Sequence, residues 1–148
     1  MTLTQIIVYP SPTGSGLCDY AMVNPKLDVA EVRVQFFSEH AEYFFTTSEE
    51  LPVDMYYRNS WMFSPGKILV DIIKMKEIAH NIRREKRSLE LEPCDNIIAA
   101  QIPGGEGEQA ELKRVEIRAK YVAIQISIDN ATSYLDLPPE VKSQIKAT

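Results

Sequence analysis

The sequence has few of the residues that usually form metal, redox or nucleophilic sites. Among its 148 residues are only two cysteines, Cys18 and Cys94, and two histidines, His40 and His80. The cysteines lie far apart in no paired motif, which predicts free thiols in a reducing compartment. The histidines lack a ligand spacing such as His-x-x-x-His. We therefore expect neither a metal ion nor another cofactor.

Long apolar runs, a secretory leader and an excess of positive charge are also lacking. No apolar run approaches the roughly 20 residues that cross a bilayer, and residues 1–5 lack the basic start of a secretory signal. We expect a soluble protein made in a cytoplasm, without a membrane partner. The formal net charge of −5 argues against general nucleic-acid binding. A basic cluster at residues 83–87 is interrupted by Glu85, which favours a solvated helix face.

The front of the chain predicts a small strand-rich α+β module over residues 1–66. Its strands are β-branched and aromatic runs bounded by turn residues, and they cover residues 6–9, 17–23 and 42–47. Asp28 is a good N-cap for a helix reaching about Ser38, although the β-branched content leaves a strand open as the alternative. The Gly14-Ser15-Gly16 segment lacks the Lys-Ser/Thr ending of a phosphate loop, so a plain turn is expected.

The remainder, residues 67–148, predicts an antiparallel helical hairpin followed by a tail. A turn signal at residues 64–67 suggests that residues 61–70 form a β-hairpin. Helical periodicity then indicates helices at about 72–101 and 107–128, separated by Pro103-Gly104-Gly105. Pro93 is expected to end or kink the first helix near Leu91, because proline lacks an amide hydrogen.

The second predicted helix carries an apolar seam with coiled-coil spacing. Its members step by three, four, three and four residues, and they are Leu112, Val115, Ala119, Val122 and Ile126. The seam covers only about two heptads. We therefore expect it to pack against the preceding helix rather than to form a long free coiled coil.

An ordered set of motifs lies between residues 51 and 95. It comprises Leu51-Pro52-Val53-Asp54, Tyr57-Arg58-Asn59-Ser60-Trp61, Val70-Asp71, Lys74, Glu77-Ile78, Arg84, Arg87 and Asp95. In order and spacing this set resembles a family of small tail-associated proteins of tailed bacteriophages. Residues 6–10 and 137–142 also fit such proteins, so the resemblance loosely covers the whole chain.

The resemblance implies a non-enzymatic role in the phage tail, with a tail or tail-fibre protein as the partner. One hypothesis is a tail-fibre assembly chaperone or fibre-associated factor working in the host cytoplasm. The alternative is a permanent structural subunit of the virion tail, baseplate or fibre attachment site. The lack of a nucleophile-elbow signature agrees with a non-enzyme. The sequence leaves open whether the protein also forms a homo-oligomer.

Trp61 and Arg58 are the first candidates for partner binding, because tryptophan and arginine are enriched at interface hot spots. Tyr57 and Asp54 belong to the same motif and complete the candidate site. The favoured interpretation is a structural role, in which Trp61 fills the joint between the front module and the helices while Arg58 bonds Asp54 or a backbone carbonyl. The two roles are compatible on one aromatic residue.

Overall fold

The protein has an α+β fold, with a strand-rich front followed by two long helices. The computed structural model describes residues 5–23, 26, 42–47, 49–51 and 55–142. The chain divides into two compact units, Met1–Asp71 and Ile72–Thr148. The division lies five residues beyond the predicted end at residue 66, because residues 67–70 form a strand that pairs within the first unit.

The first unit contains a three-stranded antiparallel sheet in which the first strand is central. The strands are β1 (Gln5–Pro10), β2 (Cys18–Met22) and β3 (Phe44–Thr47), in the order β2-β1-β3. Ile7 of β1 pairs with Ala21 on one side and with Phe45 on the other. The predicted strands are therefore present. The predicted helix at residues 28–38 lies outside the described residues.

A 3-10 helix, Met55–Ser60, leads into a β-hairpin formed by β4 (Trp61–Ser64) and β5 (Lys67–Val70). Two residues connect the strands, Pro65 and Gly66, and Gly66 has a φ of 77°. Proline followed by a positive-φ glycine is the arrangement that a type II turn requires. The predicted hairpin over residues 61–70 is confirmed.

Alternation along β1 gives the first unit an apolar cluster on each face of the sheet. Ile6 and Val8 are buried with Cys18 and Trp61 on one face. Ile7 is buried on the other face, where Val23, Tyr9, Tyr43 and Phe45 pack around it.

The second unit is the predicted antiparallel helical hairpin. Its helices are α1 (Ile72–Ala100) and α2 (Gly107–Asn130). Pro93 was expected to end or kink the first helix. It does not end the helix, since α1 continues seven residues beyond it. Proline removes only one amide donor and the helix extends on both sides of it, with Cys94 buried directly after it.

The segment that follows α2 folds back onto α1. Leu137 and Val141 are 3% and 0% exposed, and Lys86 Nζ on α1 donates a hydrogen bond to the Glu140 carbonyl oxygen at 2.5 Å. Residues 131–142 thus pack as part of the second unit, which gives α1 a second neighbour besides α2.

Candidate functional site

Both aromatic residues at the ends of the 57–61 motif are buried. Trp61 is 1% exposed and Tyr57 is 2% exposed. Trp61 belongs to the apolar cluster around Ile6 and Val8 in the first unit, and its ring lies 6.4 Å from the Tyr20 ring, centroid to centroid. Of the two interpretations of this motif, burial favours the structural role for both side chains. Asp54 lies outside the described residues.

Arg58 differs from Tyr57 and Trp61 because its side chain is exposed. It borders an open groove of about 430 Å³, lined by Tyr9, Cys18, Asp19, Tyr20, Arg58, Asn59 and Trp61. The groove thus combines a cation, a carboxylate, an amide and two phenols. These groups suit hydrogen bonding to a polar or charged partner side chain.

The thiol in this groove is unsuited to nucleophilic chemistry. Burial, and then the charge of Asp19, raises the pKa of Cys18 to about 11. The same two causes raise the pKa of Tyr9. At neutral pH both groups are protonated, and a thiol rather than a thiolate is a poor nucleophile.

The contact between α1 and α2 uses a face of α2 that the sequence analysis missed. The buried residues of α2 form what we call the inner stripe: Ala110, Ile117, Tyr121, Ile124 and Ile128. Met75, Ala79, Arg83 and Cys94 are the buried residues of α1. The inner stripe also steps by threes and fours, with the half-buried Arg114 filling the gap between Ala110 and Ile117.

The predicted seam does not pack against α1, and that prediction is wrong. We call it the outer stripe: Leu112, Val115, Ala119, Val122 and Ile126. All five side chains are exposed, with 67% for Leu112, 57% for Val115, 56% for Val122 and 55% for Ile126. At 3.6 residues per turn the two stripes lie on nearly opposite sides of α2. The helix therefore has one apolar stripe that is covered and one that is open.

Polar contacts between α1 and α2 accompany the inner stripe. Glu90 Oε1 accepts hydrogen bonds from Tyr121 Oη at 2.6 Å and from Lys120 Nζ at 2.8 Å. These two bonds, Lys120 first, lower the pKa of Glu90. Burial, and then Glu90, raises the pKa of Tyr121. The two hydrogen bonds to Glu90 fix the register of α1 and α2 at the middle of the hairpin.

Further polar pairs continue this register towards both ends of the hairpin. His80 Nε2 lies 2.8 Å from Asp129 Oδ1 near the open end. Arg114 Nε lies 3.0 Å from Asp95 Oδ1 near the turn, at ion-pair distance. Each pair joins one residue of α1 to one of α2, as the antiparallel arrangement requires.

The basic cluster at residues 83–87 is not wholly a solvated face, which corrects that prediction. Arg83 is 5% exposed, and its guanidinium donates a hydrogen bond to Gln125 Oε1 at 3.1 Å. Burial, and then the neighbouring charges of Arg84 and Arg87, lowers the pKa of Arg83. Arg83 therefore belongs to the contact between the helices and is withdrawn from any external partner.

A second apolar surface lies at the turn of the hairpin. Here an open groove of about 570 Å³, which we call the tip groove, is lined by Asn96, Ile97, Ile98, Ala100, Gln101, Ile102, Gly105, Glu106, Gly107 and Glu111. Ile97 is 39% exposed and Ile102 is 68% exposed. The sequence signal for it was three isoleucines within six residues beside a Pro-Gly-Gly break.

Two observations hold for the described part of the chain. Within it, no group of three or more His, Cys, Asp or Glu side chains is placed to hold a metal ion. Among the helices of that same part, none is long and apolar enough to cross a membrane.

The comparisons with known proteins assign no family to this chain. No protein-family model, no curated protein and no solved structure matches it.

Proposed function

We propose that this is a non-enzymatic phage tail protein that acts through protein–protein contacts, as a tail-fibre assembly chaperone or fibre-associated factor. The resemblance of residues 51–95 to small tail-associated phage proteins supports the biological setting. The observation that carries the mode of action is the exposed apolar surface of the helical hairpin.

The tip groove is the candidate surface for the tail or fibre polypeptide. Ile97 and Ile102 present their side chains in a concave surface at the end of the hairpin. Concave apolar surface with a few polar groups at its edge is typical of binding sites. Glu106 and Glu111 supply the polar edge here.

The mechanism is temporary coverage. An apolar segment of a fibre or tail polypeptide occupies the tip groove while its final neighbours are missing, which keeps that segment from aggregating. Assembly of the partner buries the same segment elsewhere and releases this protein. Binding and release require no chemical step. They require a groove complementary to the apolar segment and an assembled partner that buries the same apolar area.

Coexpression with the tail-fibre gene of the same phage tests the proposal. The wild-type protein should raise the yield of soluble, trimeric fibre. Ile102→Asp should abolish that gain, because it places a charge in the tip groove. Leu89→Asp is the matched control: Leu89 is 67% exposed and lies on α1 outside the tip groove. Equal yields of soluble trimeric fibre with and without the protein would contradict the chaperone function.

Mass spectrometry of purified virions separates the two forms of the proposal. A chaperone should be absent from particles while abundant in infected cells. A fixed ratio to the tail-tube or fibre proteins would instead identify a permanent subunit, with the tip groove as a lasting contact.

A further inference from the structure

We propose that the outer stripe is a homodimer interface, in which α2 packs antiparallel against α2 of a second copy of this chain. This inference does not depend on the proposed tail function, and it uses a different surface from the tip groove.

The outer stripe has the spacing of a coiled-coil seam on a helix whose opposite side is already packed. The steps of three, four, three and four place its five residues in one row along α2. Leu112, Val115, Val122 and Ile126 keep more than half of their surface exposed. α2 is thus a two-sided helix, with the inner stripe on α1 and the outer stripe available to a further helix.

The charges beside the outer stripe disfavour a parallel pairing of two copies. In a parallel, in-register coiled coil, the residue directly before an a position of the seam lies beside the partner's residue five positions later in the sequence. Glu111 would then face Glu116 of the second copy, and the two-fold axis repeats this repulsion. Glu111 and Glu116 are both exposed beside the stripe.

An antiparallel pairing removes these like-charge contacts. With the two-fold axis between Lys120 and Tyr121, Val115 lies opposite Ile126 of the second copy. Ala119 then lies opposite Val122 of the second copy, so that a small residue meets a larger one at the centre.

The residues flanking this antiparallel seam are also compatible. Glu116 lies near Ala123 of the second copy, and Arg118 lies near Gln125 of the second copy. No like charges meet. By the same count Leu112 lies opposite Asp129 of the second copy, at the end of the seam. The outer stripe is therefore self-complementary from Val115 to Ile126, as a two-fold symmetric interface requires.

Sedimentation equilibrium tests the dimer. The wild type should reach twice the chain mass of 16.8 kDa at high concentration. Val122→Glu should weaken the dimer by about 100-fold or more, because a two-fold symmetric dimer contains the substitution twice and loses two buried valines. Leu89→Glu changes an apolar position outside the stripe that is also more than half exposed, and it should leave the dimer unchanged. A wild type that stays monomeric, or a Val122→Glu dimer as tight as the wild type, overturns the proposal.

Spin labelling tests the orientation on the same protein. Glu108 is exposed near the start of α2, and the native Cys18 and Cys94 are buried, so Glu108→Cys directs the label. In the antiparallel dimer the two labels are separated along the axis by about 25 residues, or about 38 Å. A parallel pair would bring them to about 10 Å, the spacing of packed helices. A dipolar distance near the shorter value overturns the antiparallel arrangement.

Discussion

Truncating two isoleucines on α2 should reveal which side of the helix stabilises the fold. Ile124 belongs to the inner stripe and is 5% exposed, whereas Ile126 belongs to the outer stripe and is 55% exposed. The two positions share residue type and helix and lie two residues apart. Ile124→Ala should lower the free energy of unfolding by about 3 kcal/mol, within the range for a buried isoleucine. Ile126→Ala should lower it by less than about 1 kcal/mol, since the side chain is already half in water.

The difference between the two variants is the informative quantity. Replacing isoleucine by alanine gains the same helix propensity, about 0.4 kcal/mol, at both positions, so this contribution cancels. Urea unfolding followed by circular dichroism at 222 nm reports on α1 and α2, which hold most of the helical residues of the described chain. The transitions should be recorded at two low protein concentrations, so that a dimer through the outer stripe adds nothing to the measured stability.

An equal loss for both variants would refute the assignment of the inner stripe. A larger loss for Ile126→Ala at low concentration would restore the original expectation that the outer stripe packs on α1. A loss for Ile126→Ala that appears only at high concentration would instead agree with the dimer.

Three further predictions concern single groups. Tyr121→Phe should lower the free energy of unfolding at neutral pH by about 1 kcal/mol, because it removes the hydrogen bond to Glu90. Since the pKa of Glu90 is lowered in the fold, this contribution is present above the ordinary glutamate pKa and is lost as the pH falls through the lowered value, so denaturation curves of variant and wild type should converge in acid. Pro93→Ala should raise the free energy of unfolding by about 1–3 kcal/mol, because an amide donor returns to the interior of α1, and a decrease in denaturant midpoint would contradict this. Cys18 should react with a disulfide reagent at pH 8 only after unfolding, because burial raises its pKa to about 11, and fast labelling of the native protein would contradict that.

Much of the architecture could be predicted because it depends on local sequence patterns. The β-branched run at β1, the Pro65-Gly66 turn and the helical periodicity on both sides of the Pro103-Gly104-Gly105 break depend on neighbouring residues alone. Local rules did not decide between an end and a kink at Pro93, and the structure shows that the helix does not end there. The missing hydrogen bond costs about 1–3 kcal/mol, which the remaining hydrogen bonds and the packing of a long helix offset.

The candidate site was harder to predict, because it depends on which side chains the fold covers. Trp61 and Arg58 are three residues apart in one motif, yet the first is buried in the core and the second is exposed beside a groove. Composition alone marks both as interface residues. Only the sheet and the β4–β5 hairpin packed around Trp61 decide that it is a structural residue.

The sequence by itself determined that the protein has a strand-rich front and a helical hairpin behind it, because period and turn chemistry are local. Only the tertiary structure decided which side of α2 meets α1. Both stripes repeat every three and four residues, and the outer one is the more apolar, so periodicity favours the wrong one. The inner stripe buries its isoleucines in the fold, and polar pairs beside them join the two helices, Tyr121 with Glu90 and Arg114 with Asp95. Such pairings exist only once the two helices lie side by side, and they leave the more apolar stripe free.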